Sequence, residues 1–141
     1  MAINFFAEEV SFSLKEKRKR KSWLKKIAEA ENHKISELNY IFCSDEYLLS
    51  INIEYLDHDT YTDIITFDNS EEENILEGDI FISIERVKEN SQALEVDEEK
   101  ELSRVISHGL FHLLGYKDKS NEEANLMRNK EDFAINLFEE I

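Results

Sequence analysis

The chain contains no proline among its 141 residues, so no bend can rely on a ring-fixed φ, and turns fall to glycine, asparagine and aspartate. Glycine is scarce as well, with three copies, so each position carries information. One cysteine, Cys43, excludes an internal disulfide framework and fits a reducing compartment. No apolar run approaches the ~18 residues that a membrane-spanning helix needs. The opening MAINFFAEEVSF is acidic and lacks a basic n-region, so no secretory signal is expected there. Positive charge is also in deficit: 17 Lys+Arg against 32 Asp+Glu give a net −15, which excludes a generally basic nucleic-acid coat.

What is present is enough apolar material, 41%, for one core. There is no repeat or low-complexity stretch, and we read residues 1–141 as one domain. Periodicity predicts strands at Ala2–Phe6, Ile35–Cys43, Thr62–Phe67 and Glu77–Ile84, with the polar Asn69–Asn74 joining the last two. Helices are predicted over Ser11–Glu31, from an Asp45 cap to about Glu54, from an Asp97 cap to about Leu114, and from a Ser120 cap onward. The first helix should bury Phe12, Trp23, Leu24, Ile27 and Ala30. The second should bury Leu48, Leu49, Ile51 and Ile53. The last should bury Ala124, Met127, Ala134, Leu137, Phe138 and Ile141. The order β-α-β-α-β-β-α-α implies an α+β fold: a mixed sheet of about four strands packed with helices.

The segment that carries chemistry is Ser107–Asp118, SHGLFHLLGYKD. His108 and His112 are four residues apart on a helix, so both imidazoles leave one face about one turn apart. That spacing suits two nitrogens binding one Zn²⁺ at about 2.0–2.1 Å. Gly115 should end the helix with a positive φ and turn the chain, returning Asp118 from a third direction. The pattern H-x3-H-x2-G-x2-D is that of the elongated metallopeptidase motif with two changes. Gly109 stands where those enzymes carry their glutamate base, and Asp118 stands where they carry a third histidine. Three protein donors leave one position open, as in a catalytic site. A carboxylate donor also lowers the net charge of the centre and makes the ion a weaker Lewis acid than three imidazoles would.

These residues resemble the YbeY family of endoribonucleases, whose motif H-G-x-L-H-L-x-G-Y-D-H compares with HGLFHLLGYKD here. Met127 and Glu131 match a downstream M-x3-E pattern. NIEYLDHDTYTDIITF and EGDIFIS are similar to two upstream family segments, so the likeness spans roughly residues 50–131. The resemblance implies a metallopeptidase-like (zincin-like) α+β core with one Zn²⁺ on His108, His112 and Asp118. It also implies a single-strand-specific metallo-endoribonuclease of the cytoplasm that matures the 3′ end of small-subunit ribosomal RNA, acts in ribosome quality control and partners the small ribosomal subunit. Two departures stand out: Asp118 where the family has histidine, and Leu56 where it has an arginine associated with activity. Asp68 replaces a family proline.

Lys15 to Lys26 (KEKRKRKSWLKK) hold eight of the basic residues and one acid, a basic helix on an acidic body that is read either as a contact for RNA or the ribosome or as a solvated helix face. Trp23 is weighed as a base-stacking ring or as core, and its spacing with Leu24 and Ile27 favours core. The general base is unassigned; His58 is a candidate, against a plain exposed histidine. Asp63 and Asp79 are weighed as hydrogen-bond partners of a metal-binding histidine or as solvent-facing residues, with solvent favoured. Glu131 is read as a capping or pairing residue, Met127 and Cys43 as buried, and His33 as a helix C-terminal cap or exposed. Two rival functions stay open: a zinc metallopeptidase lacking the usual glutamate base, and a non-catalytic ribosome-binding factor that keeps a metal site.

Overall fold

The computed structural model describes residues 1–141. Its elements are β1 (Ala2–Glu8), α1 (Lys17–Ala30), β2 (Lys34–Cys43), α2 (Asp45–Leu56), β3 (Ile64–Asp68), β4 (Ile75–Ser83), α3 (Ile84–Leu94), α4 (Glu98–Leu113) and α5 (Asn121–Glu140). The sheet runs β1-β2-β4-β3. β1, β2 and β4 are mutually parallel, and β3 is an antiparallel edge strand on β4. This is the expected α+β mixed sheet of four strands, with one helix more than the sequence pattern implies.

Alternation along β2 and β4 explains the layers. Leu38, Tyr40 and Phe42 on β2, with Leu76, Ile80 and Ile82 on β4, turn to one face and are buried in a 22-residue cluster with α1, α4 and α5. The opposite face carries a smaller cluster of Cys43, Leu48, Ile51 and Ile65 beneath α2. Buried Cys43 is as expected, and burial pushes its thiol up to about 12.

Several sequence expectations are corrected. The first helix starts at Lys17 rather than Ser11, because Glu16 takes a left-handed conformation (φ 56°) and breaks the run. α1 buries Ala28 and Arg20 but not Ala30. α2 is capped by Ser44, whose oxygen accepts the Tyr47 N–H; Asp45 lies in the first turn and accepts from Ser83 Oγ and Arg86. Ile53 is exposed, as are Ala124 and Ile141. α3 escapes the pattern because it begins directly at the end of β4, capped by Ser83, and buries little besides Val87. The Asp97 cap and the Ser120 capping box are as read.

Trp23 is core: it is fully buried, donates its indole N–H to the Ala134 carbonyl at 2.8 Å and meets Phe138 edge-on. Arg20 departs from the solvated-face picture. Its guanidinium is buried and bonds Lys15 O, Ser103 Oγ and Glu99, pinning the start of α1 to α4. Burial lowers its pKa against the opposing pull of Glu99.

Candidate metal centre

α4 positions the centre. Asp97 caps its first turn, where Glu98, Glu99 and Glu101 also complement the dipole. Its far end closes in a Schellman motif: Tyr116 N–H donates to Phe111 O and Gly115 N–H to His112 O, both at 3.0 Å. The accompanying apolar contact is Phe111 against Tyr116, edge to face at 5.8 Å. Gly115 takes φ +101°, as the reversal requires, and the chain returns past Tyr116 to Asp118.

His108 and His112 then converge. Their Nε2 atoms are 2.9 Å apart, and Asp118 Oδ2 lies 3.2 Å from the first and 3.4 Å from the second. Tetrahedral donors at about 2.05 Å from zinc are separated by about 3.3 Å, so the triangle already has the span such an ion needs. The outer nitrogens fix the tautomers. His112 Nδ1–H donates to Tyr116 O at 3.0 Å, and His108 Nδ1–H donates to Glu131 Oε2 at 2.6 Å. With both rings neutral, the two Nε2 lone pairs face one point, an arrangement that a cation between them favours. The donor chemistry and the spacing fit a metal ion.

Glu131 on α5 is the functional residue that sequence reasoning underrates. It is buried and bridges His108 to Arg104 Nη1 (3.0 Å), while Arg104 Nη2 reaches Asp132 at 2.9 Å. Burial disfavours the His108 imidazolium, but the hydrogen bond and charge of Glu131, with Asp118 and Asp63, outweigh it and raise the pKa. The available signal was a glutamate inside an apolar stripe: Met127, Glu131, Ala134 and Ile135 are the buried positions of α5. Asp63 and Asp79 make no such bond. The Asp63 carbonyl accepts from Ser83 N, and the Asp79 carboxylate is held by Asn39 and Asn69.

Gly109 has a structural reason. A Cβ there would lie 2.9 Å from Ile80 Cγ2 and 3.0 Å from Ile64 Cδ1, so α4 sits against the sheet at the point where metallopeptidases carry their base. The other candidates lie apart from the donor triangle. His58 is exposed, with its backbone N–H on Asn52 O, and it shares a cavity with Leu56. His33 Nδ1 donates to Glu31 O at 2.6 Å, the expected C-terminal cap.

Fold and site together define an α+β domain with a three-donor, metal-competent centre on one helix and its following turn. The family profile described as Endoribonuclease YbeY matches residues 3–139. The chain is 55% identical to the Endoribonuclease YbeY of Cytophaga hutchinsonii over 135 residues, 96% of this chain and 94% of that one. It is 50% identical to that of Christiangramia forsetii over 136 residues, again 96% and 94%. A Thermotoga maritima protein solved in solution shares the fold, with TM-score 0.68 and 26% identity over 96% of this chain and 88% of that one. The chain belongs to the YbeY endoribonuclease family.

Proposed function

We propose that this chain is a metal-dependent endoribonuclease that cleaves single-stranded RNA in small-subunit ribosomal RNA 3′-end maturation and ribosome quality control, with His108, His112 and Asp118 as the metal ligands. The observation that carries the reading is the triangle of two lone pairs and one carboxylate oxygen, each within 3.4 Å of the next. Zn²⁺ is the proposed ion, since two imidazoles and a carboxylate suit its borderline character and three ligands leave it open to substrate. When bound, the ion supplies Lewis acidity toward a phosphate oxygen and toward water.

The chain's own groups do the rest. Glu131 holds the proton on His108 Nδ1, and the Tyr116 carbonyl holds that on His112 Nδ1, so neither ring can turn its donor nitrogen away. Gly109 supplies no base, which argues against peptide hydrolysis by the metallopeptidase route. The general base is unassigned; His58, which lines the cavity shared with Leu56 and Lys119, is the candidate proton acceptor.

We place the action of residues 1–141 as one domain in the cytoplasm. No helix is long and apolar enough to cross a membrane. The exposed Lys17, Arg18, Lys21, Lys25 and Lys26 of α1 form the proposed contact with RNA or the small ribosomal subunit. Buried Arg20 and Trp23 take no part in that surface.

The test is hydrolysis of a labelled single-stranded RNA and of casein by zinc-loaded protein, its chelated form and His112→Ala. We expect RNA cleavage that is lost on chelation and in the variant, with casein intact. Casein cleavage without RNA cleavage supports the metallopeptidase instead. Ribosomal-subunit binding that survives His112→Ala, with no cleavage at any zinc dose, supports the non-catalytic factor.

A further inference from the structure

A cavity of about 520 Å³ forms where the end of α2, the following loop and β3 meet Lys119 of the turn after α4, the residue next to the third donor, Asp118. Its lining is unusual for this chain. With 32 acidic residues overall, not one carboxylate lines it. The neutral groups are the hydroxyl residues Thr60, Thr62 and Thr66, with Leu56 and Ile64 as an apolar surface. Asn52 donates to the Thr60 carbonyl at 2.8 Å and fixes the loop that carries two of the threonines. His58 also lines it, and its one lysine or arginine is Lys119. It directly follows Asp118 in sequence, so its ammonium belongs to the same turn as the third donor. It enters no ion pair, whereas Lys130 is held by Glu31 at 2.8 Å.

We propose that this cavity seats the RNA strand next to the cleaved bond, with Lys119 holding the neighbouring phosphate. The inference rests on the endoribonuclease reading and specifies how substrate would be held. One unpaired cation matches one phosphate. Three hydroxyls match the ribose 2′-OH, which donates and accepts hydrogen bonds. Leu56 and Ile64 give a base or sugar face an apolar surface to lie on. In a chain of net charge −15, a lining without carboxylates presents a polyanion with no like charge inside the pocket itself. Because position 56 is leucine, that wall brings no charge, and the cation has to come from the 119 side.

The experiment is fluorescence anisotropy of a labelled single-stranded oligoribonucleotide on metal-depleted protein at stepped salt, with zinc affinity measured in parallel. Lys119→Ala should weaken binding about fivefold near 0.1 M salt and reduce the slope of log K against log salt by about 0.7, the value of one phosphate contact on a single strand. Lys119→Arg should retain both, Lys117→Ala should resemble the parent, and zinc affinity should stay within about twofold throughout. Unchanged affinity and slope in Lys119→Ala, with the parent binding and cleaving RNA, overturns the Lys119 assignment and leaves the nuclease reading standing. If the parent neither binds nor cleaves RNA, both fall.

Discussion

Replacing Glu131 by glutamine should weaken zinc binding about 10–100-fold, the range seen when an outer partner of a metal-bound histidine is lost. The structure gives the reason. Glu131 accepts from two donors at once, His108 Nδ1–H at 2.6 Å and Arg104 Nη1 at 3.0 Å. A carboxylate has an oxygen for each. An amide has one oxygen and one NH₂, so one donor must face another donor. If the NH₂ meets His108, the ring keeps its hydrogen bond only by moving its proton to Nε2, and that nitrogen can no longer ligate. If it meets Arg104, the guanidinium keeps only Asp132. Either arrangement also removes the negative charge that favours a cation at the centre. The expected loss is about 1.4–2.8 kcal/mol of zinc affinity. It is read by competition with a chromophoric chelator at constant pH, alongside a thermal melt of the metal-free variant to verify folding. Asp132→Asn, at the exposed end of the network, should shift zinc affinity far less. A folded Glu131→Gln protein that binds zinc within about twofold of the parent refutes the reasoning.

Gly109→Ala should destabilise the protein by about 1–3 kcal/mol, because the added methyl meets Ile80 and Ile64 near 3.0 Å; denaturant midpoints measure it, and an unchanged midpoint contradicts the close helix–sheet contact. Trp23→Ala should cost about 3–5 kcal/mol in the same assay, since the ring is fully buried and its N–H is bonded, whereas loss of RNA binding without loss of stability would return Trp23 to a stacking role. Glu31→Gln tests pH linkage. Burial would raise the Glu31 pKa, but hydrogen bonds from Lys130 and Tyr116 prevail and hold it below the ordinary value. A depressed carboxylate contributes stability above its unfolded pKa and loses it as pH falls through the folded value. The variant should therefore be less stable by about 1–2 kcal/mol at pH 7 and should match the parent once the medium is acid enough to protonate Glu31. A gap that persists in acid would mean that packing, not charge, is responsible.

The contrast between what was and was not legible in the sequence follows from contact range. The donor triangle was readable because it is built within eleven consecutive residues: a helical repeat brings His108 to His112, and one glycine with positive φ brings back Asp118. The caps at Asp97 and Ser120 are equally local. The burial of Arg20 is not legible in the basic run that contains it, because its partners, Ser103 and Glu99, lie some eighty residues away. Its long side chain can bury itself only where another helix supplies acceptors. The Glu131 bond to His108 likewise spans two helices, and the cavity joins residues 52–66 to Lys119. Those long-range contacts decide what the local motif can do. The triangle alone is compatible with any hydrolysis that an ion can assist. Gly109, packed against Ile64 and Ile80, offers no peptidase base, and the pocket that shares Ile64 has a lining without carboxylates and one lysine. On the proposed reading, the choice of a phosphodiester over a peptide is made by the surroundings of the motif, and substitutions at Gly109 and Lys119 should affect the protein more selectively than further changes among its exposed acids.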